Sequence, residues 1–206
     1  MLEIIGSYII HFISATGYFG IFILMTLESA LVPIPSEVTM PFSGSLVNLG
    51  QFNFWFVVTA GTFGNLLGSL LAYALGWWGQ EAVVRKAIRK FGKYLLVSEH
   101  EYDIGERWFR NHGQAIVFIS RILPIIRTYI SLPAGVAKMN LTKFIVLTTL
   151  GSLIWSFILT NIGLVLGKNW NIVGGYFHKF DLVIAGFLVI LVIWYVRRKL
   201  RHFKKF

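Results

Sequence analysis

Two glutamates and two arginines stand almost alone within long apolar stretches of this chain. Between His11 and Gln80 the only Asp, Glu, Lys or Arg side chains are Glu28 and Glu37, and between His112 and Lys138 they are Arg121 and Arg127. Pro33 and Pro35 separate the first pair, and Pro124 separates the second. A charge at bilayer depth costs roughly 2.5–3.5 kcal/mol on insertion scales, so four of them in such stretches mark a site. Arginine offers a planar, permanently charged fork that grips oxyanions bidentately. A buried carboxylate can pair with that fork, compete for it, or take up a proton. An acidic half and a basic half brought together would bind an anion by exchange of partners.

Bringing them together needs broken helices. On one continuous helix Arg121 and Arg127 would lie about 240° apart around the axis, and Glu28 and Glu37 about 180° apart. Neither pair shares a face. Proline lacks the N–H that a continuing helix needs and biases the preceding residue away from helix, so Pro33, Pro35 and Pro124 sit where breaks are required. Irregular backbone at membrane depth is tolerated where it is buried in protein or lines a wet cavity. The expectation is two re-entrant hairpins that face each other.

Composition sets the class. The 206 residues are 56% hydrophobic and 14% charged, with a mean hydropathy of +0.69; a soluble domain carries about 25% charged residues. The chain reads as an all-α polytopic membrane protein in a single membrane domain. It has no cysteine, which excludes disulfides and thiolate metal sites. No basic n-region or small-residue cleavage site appears at the start, so residues 1–16 read as a retained, weakly amphipathic lead-in. The net charge of +10 gathers at 85–93, 107–110 and from Arg197 onward, beside apolar spans. That pattern fits a cytoplasmic face and anionic headgroups better than nucleic acid.

The segments follow from the same signals. A first repeat is expected over 17–79, with a re-entrant piece at 17–49 and a transmembrane helix at 53–79. Within that helix Ala60, Gly64, Gly68, Ala72 and Gly76 make a small-residue seam suited to close helix packing. Residues 80–113 read as a cytoplasmic amphipathic segment, with Ser98 and Glu101 as a capping box. A second repeat follows over 114–168, with a re-entrant piece at 114–136 and a helix at 141–167. A last transmembrane helix at 180–197 leads into a basic cytoplasmic tail at 198–206. Gly44 to Gly76 and Gly135 to Gly167 are both 32 residues apart, which suggests an internal repeat. Each copy would cross the membrane once, so the second would be inverted, as in many transporters.

Other features point to packing. Asn65 and Asn161 inside the long helices are expected to hydrogen-bond between helices. Trp and Tyr near span ends (Tyr18, Trp77, Trp78, Trp170, Tyr176, Trp194, Tyr195) read as interfacial belts. The five histidines lie outside both broken segments, and no nucleotide-binding or metalloprotease motif occurs. Asn140-Leu-Thr142 forms a sequon at a membrane boundary and is discounted as a glycosylation site. No metal or cofactor is expected.

The motifs Glu28-Ser-Ala-Leu-Val-Pro33-Ile-Pro35-Ser36-Glu37 and Ser120-Arg121-Ile-Leu-Pro124-Ile-Ile-Arg127, followed by Pro133-Ala134-Gly135, resemble the DedA family of bacterial membrane proteins. Its domain is also called the VTT or SNARE-associated domain. The resemblance covers roughly 17–170. Ser120 stands where a glycine often precedes the first arginine, and some members have Asp in place of Glu37. Members are implicated in moving lipids between leaflets: undecaprenyl phosphate, phosphatidylethanolamine, or phospholipids more broadly. The resemblance implies a non-enzymatic flippase of the plasma membrane, with Glu28, Glu37, Arg121 and Arg127 contacting a lipid phosphate headgroup, and undecaprenyl phosphate as the leading substrate. Proton coupling is a further expectation. The rivals are a phosphatidylethanolamine flippase or scramblase and a proton-coupled transporter of a small solute. A fixed ion-pair network holding two hairpins together would explain the same four residues without transport.

Overall fold

A computed structural model describes residues 2–32, 34–95, 113–121 and 126–169, with side chains from residue 6 onward and, in the long central helix, as far as residue 79. The helix expected at 180–197, the tail, and the Ser98–Glu101 cap lie outside the described residues. Among the described residues the fold is all-helical. Its helices are α1 (Leu2–Thr16), α2 (Tyr18–Ser29), α3 (Ser36–Asn48), α4 (Phe54–Leu95), α5 (113–120), α6 (Ile126–Tyr129), α7 (Ser131–Val136) and α8 (Leu141–Leu166), with a 3-10 turn at Gly167–Asn169.

Among the described residues two helices are long and apolar enough to cross a membrane: Phe54–Gly79 and Leu141–Asn169, of 26 and 29 residues. At 1.5 Å per residue both exceed the roughly 30 Å hydrocarbon core. α4 continues as one helix past Gly79 to Leu95. α2 and α3, with 12 and 13 residues, rise only about 18–20 Å each. They form a hairpin whose two ends meet. The amide of Asn53, just ahead of α4, donates to the Tyr18 hydroxyl at the start of α2 (2.7 Å). Asn48 at the end of α3 donates to the Leu164 carbonyl near the end of α8 (3.1 Å). Further along α4, the Tyr73 hydroxyl donates to the Met139 carbonyl in the turn before α8. α4 and α8 are therefore antiparallel, with the open end of the α2–α3 hairpin beside the start of α4 and α7 packed further along it.

The hairpin tip forms because α2 ends abruptly. Leu31 takes a left-handed φ of 74°, the Val32 amide reaches back to the Leu27 carbonyl (3.0 Å) and Leu31 to Glu28 (3.2 Å). This is a Schellman end, normally a glycine position, and a leucine there costs about 1–2 kcal/mol. The same closure ends α3 at Gly50 and α7 at Lys138, with φ of 72° and 51°. Asn140 then caps α8, accepting from the Lys143 amide at 3.1 Å.

Small residues set the packing. The seam on α4 serves two partners in turn. A Cβ at Gly64 would lie 2.9 Å from the Met25 Cβ, and one at Gly68 would lie 2.8 Å from the Ser29 Cβ, both on α2. Further along, Gly76 backs onto Leu132 and Gly135 of α7. The crossing of α3 on α8 has the same form. A Cβ at Gly44 would strike the Thr160 carbonyl and lie 2.9 Å from the Leu164 amide nitrogen. One at Gly135 would strike the Tyr73 carbonyl and lie 2.9 Å from the Trp77 amide nitrogen. Backbone meets backbone at both crossings, as small-residue contacts in membranes permit. The larger apolar cluster joins α1 (Ile9, Ile13), α2, α3, α4 and α8, so the lead-in helix is part of the core. A second cluster gathers Tyr73, Val117, Ile130, Ala134 and Phe144.

Gly→Ala normally favours a helix by about 1 kcal/mol. Here Gly135→Ala and Gly163→Ala should instead lower thermal stability in detergent by about 1–3 kcal/mol, the usual cost of overfilling a packed contact. Gly79→Ala, which meets nothing within 4 Å, should not.

Candidate functional site

α2 ends at Ser29, so Glu28 sits in its last turn, and α3 begins at Ser36 beyond the proline break. The first amides of a helix have no intrahelical acceptor, and that of Ser36 is met by Glu28 Oε1 at 3.1 Å. The acidic residue thus closes its own hairpin tip. Arg127, on the short α6, reaches the same point from the other broken segment. Its Nη2 makes an ion pair with Glu28 Oε1 and donates to the Ser36 hydroxyl. Its guanidinium carbon lies 5.1 Å from the centre of the Trp155 ring on α8. The indole N–H of Trp155 also donates to the Ser36 hydroxyl (3.4 Å). Glu28 is 5% exposed and Arg127 3%, so this pair is shielded from solvent by protein on every side.

Arg121, also 3% exposed, is held differently. Its Nη1 donates to the Ser69 hydroxyl of α4 (2.8 Å) and to the Arg127 carbonyl (3.2 Å). Its Nη2 donates to the hydroxyls of Ser131 on α7 (2.9 Å) and Thr148 on α8 (3.1 Å). Gly151 leaves room for its stem, since a Cβ there would lie 2.5 Å from the Arg121 Cβ. Among the described residues no carboxylate pairs with it. Its four Nη protons are therefore spoken for by neutral acceptors, and only Nε lacks a partner. A lysine has three donors on a point charge and cannot reproduce this fork.

The structure thus gathers Glu28, Arg121 and Arg127. Glu37 stands one residue beyond Ser36 in the first turn of α3, half-buried. Among the described residues it makes no ion pair, though its charge is near enough to act on Glu28. Of the two guanidiniums only that of Arg127 is directly paired with a carboxylate among the described residues. Glu28 Oε2, Arg127 Nε and Arg121 Nε are all buried without a hydrogen-bond partner. Such groups cost roughly 1–3 kcal/mol each when left unmet. Both arginines thus keep one buried N–H donor without an acceptor, and Glu28 keeps one carboxylate oxygen without a donor. Among the described residues no group of three His, Cys, Asp or Glu side chains could hold a metal ion.

Sequence reasoning missed the neutral partners. Ser36 was inside the quoted motif but carried no role. Ser69, Ser131 and Thr148 are ordinary residues of membrane helices, where hydroxyls commonly bond back to their own backbone. Trp155 offered one usable signal: it lies mid-helix, whereas tryptophans favour the membrane interfaces. Asn65 behaves as expected, its side-chain oxygen accepting from Ser29 across α2 and α4 (2.6 Å).

With that geometry in view, comparison with known proteins decides the family. The VTT domain model matches residues 34–165. The chain belongs to the VTT domain family, the DedA proteins. It is 34% identical over 203 residues to undecaprenyl phosphate transporter A of Bacillus subtilis strain 168, covering 97% of this chain and 98% of that one. It is 30% identical to the protein of the same name in Staphylococcus aureus strain NCTC 8325, over 92% and 94% of the two chains. An alkaline phosphatase-like protein of Lactococcus lactis subsp. cremoris strain MG1363 is 36% identical over 90% and 87%. No solved structure matches. The membrane assignment read from composition is thereby that of a membrane protein family.

Removing one member of a buried pair strands its partner, at about 3–5 kcal/mol. Arg127→Met should therefore destabilise the folded protein by that order, and Glu28→Met added to it should recover a large part. Thermal unfolding of the single and double variants in detergent measures the coupling; strictly additive losses would mean the two side chains do not form this pair.

Proposed function

We propose that this protein moves a phosphate-bearing lipid, most directly undecaprenyl phosphate, across the plasma membrane, with the phosphate displacing Glu28 from Arg127. Arg127 carries the reading: it is a buried guanidinium whose charged partner is one carboxylate from a different hairpin, beside a second guanidinium held only by neutral groups. A phosphate monoester brings the charge and the acceptor oxygens that the cluster lacks. Arg121, its Nη protons held by three hydroxyls and the Arg127 carbonyl, acts as the fixed element that sets the field and the shape. Arg127 exchanges partners. Once phosphate takes Arg127, Glu28 is left away from water without a cation, where a neutral carboxyl is cheaper than a charged one. Uptake of a proton at that step would couple transport to protons. Glu37, half-buried at the α3 start, lies at the edge of the cluster and would receive or release that proton.

The topology belongs to the same proposal. The two broken segments are re-entrant hairpins entering from opposite faces, in an inverted repeat with the C-terminus cytoplasmic. Support comes from the reciprocal crossings, with Gly44 against α8 and Gly135 against α4 in the same backbone-to-backbone manner. The transporter names of two relatives agree with the reading. The phosphatase-like name of the Lactococcus protein suggests hydrolysis as a rival. Against it, the Ser36 hydroxyl is occupied by Arg127 and Trp155 rather than by a base. The only histidine among the described residues, His11, is exposed on α1.

Reconstitution in liposomes tests this with labelled undecaprenyl phosphate and labelled phosphatidylethanolamine. The protein should speed movement of the former, and Arg127→Ala should slow it by at least about tenfold, the loss of one charged hydrogen-bonded contact. Free phosphate should not accumulate. Unimpaired transport by Arg127→Ala would refute the partner exchange, and faster movement of phosphatidylethanolamine would transfer the site to phospholipids.

A further inference from the structure

A concavity away from the arginines is lined by residues of α4 and the start of α8. It has a volume of about 320 Å³ and is lined by Leu70, Tyr73, Ala74, Trp77, Trp78 and Leu141. The lining is almost wholly apolar, and it falls in the size range of ligand sites rather than packing voids. Trp78 is 78% exposed at its edge. Lys138 in the turn before α8 and Lys143 in the first turn of α8 are both exposed. The groove is therefore apolar, and two exposed cations lie within three residues of Leu141 in its lining, which complements an anionic amphiphile.

Its inner wall leads to the arginines. Tyr73 stacks on Phe144 with ring centres 4.7 Å apart, and the Arg121 guanidinium carbon lies 5.7 Å from the centre of that Phe144 ring. Two aromatic rings thus separate the groove from the cluster. Tyr73 is held in place by its hydroxyl, which donates to the Met139 carbonyl in the same turn that presents Lys138. A carrier of a lipid phosphate has to house a charged head and a long hydrocarbon tail at once, and the polar contacts described around Arg127 suit the head. We propose that this groove holds the hydrocarbon tail of the transported lipid phosphate, with Tyr73 and Phe144 as the partition between tail and arginines. The assignment rests on the transport reading above. Lys138 and Lys143 would meet the phosphate first; the head would then advance past the partition while the tail stays in the groove.

The test uses the full chain in liposomes and detergent, with two probes. One is a labelled long-chain polyprenyl phosphate, read as transport. The other is geranyl phosphate, too short to need the groove, read as a shift in melting temperature. Ala74→Trp fills the groove and should slow long-chain transport by about tenfold, the low end of the cost of overfilling an apolar site. Its melting shift with geranyl phosphate should equal that of the unaltered protein. Arg127→Ala should lose both readouts. A photoreactive residue introduced at Leu141 should cross-link to the long-chain lipid. Long-chain transport unchanged in Ala74→Trp would overturn the groove assignment while leaving the arginine site standing. Loss of the geranyl phosphate shift in Ala74→Trp would overturn it too, since Ala74 would then act on the head site. Cross-linking of Leu141 to a second copy of the chain instead of lipid would overturn it in favour of a dimer contact. Retention of both readouts by Arg127→Ala would refute the head site independently of the groove.

Discussion

A guanidinium removed from water must have its charge and its donors met by protein, and in this fold that requirement falls on Arg127. Its contacts come from separate elements: Glu28 at the end of α2, Ser36 at the start of α3, and the Trp155 ring on α8. Ser36 contributes twice, its amide to Glu28 and its hydroxyl to Arg127. Moving any of these elements by a helical turn would strand a charge in a low-dielectric interior, at a cost of several kcal/mol. Arg121 imposes the same discipline with neutral partners from α4, α7 and α8. The two arginines thereby tie both broken segments to both long helices.

That requirement explains the exchanged packing of the short helices. α2 lies along α4 while α3 lies along α8, so the first hairpin straddles the two long helices and its tip falls at their junction. α7, from the second broken segment, returns to α4. Such short helices have little side-chain area to bury, and their hold comes from close backbone approach at Gly44, Gly163, Gly76 and Gly135. Pro41 sits within α3, where it removes one backbone donor, and its carbonyl rests against Gly163. The helix is weakened internally and secured externally.

Much of this was legible in the sequence, because charge is costly in an apolar stretch and proline is costly in a helix. Those two facts alone singled out Glu28, Arg121 and Arg127 and located the first hairpin tip. The small-residue seam on α4 was equally plain. The partners across the seam were not. The 32-residue spacing links Gly44 to Gly76 and Gly135 to Gly167, yet in space Gly44 meets α8 and Gly135 meets α4. A periodicity along the chain carries no record of which helix lies across the contact. The left-handed turns at Leu31 and Lys138 were hidden because neither is glycine. The hydroxyl partners of Arg121 were hidden because Ser and Thr in a membrane helix more often bond to their own backbone. Glu37 shows the opposite limit: its scarcity marked it as strongly as Glu28, but one residue past Ser36 it lies at the rim of the cluster rather than within it.

The central claim is that Arg127 exchanges a carboxylate for a lipid phosphate, and it is separated from a fixed ion pair by reversing the charges. The double variant Glu28→Arg with Arg127→Glu keeps a pair of opposite charges between the same two helices but moves the guanidinium to the other hairpin. Transport of labelled undecaprenyl phosphate by this variant in liposomes, alongside its melting temperature, is the deciding measurement. The account predicts a protein that still folds and no longer moves the lipid. Transport at the unaltered rate by the charge-reversed protein would contradict it and leave the pair as a structural clasp.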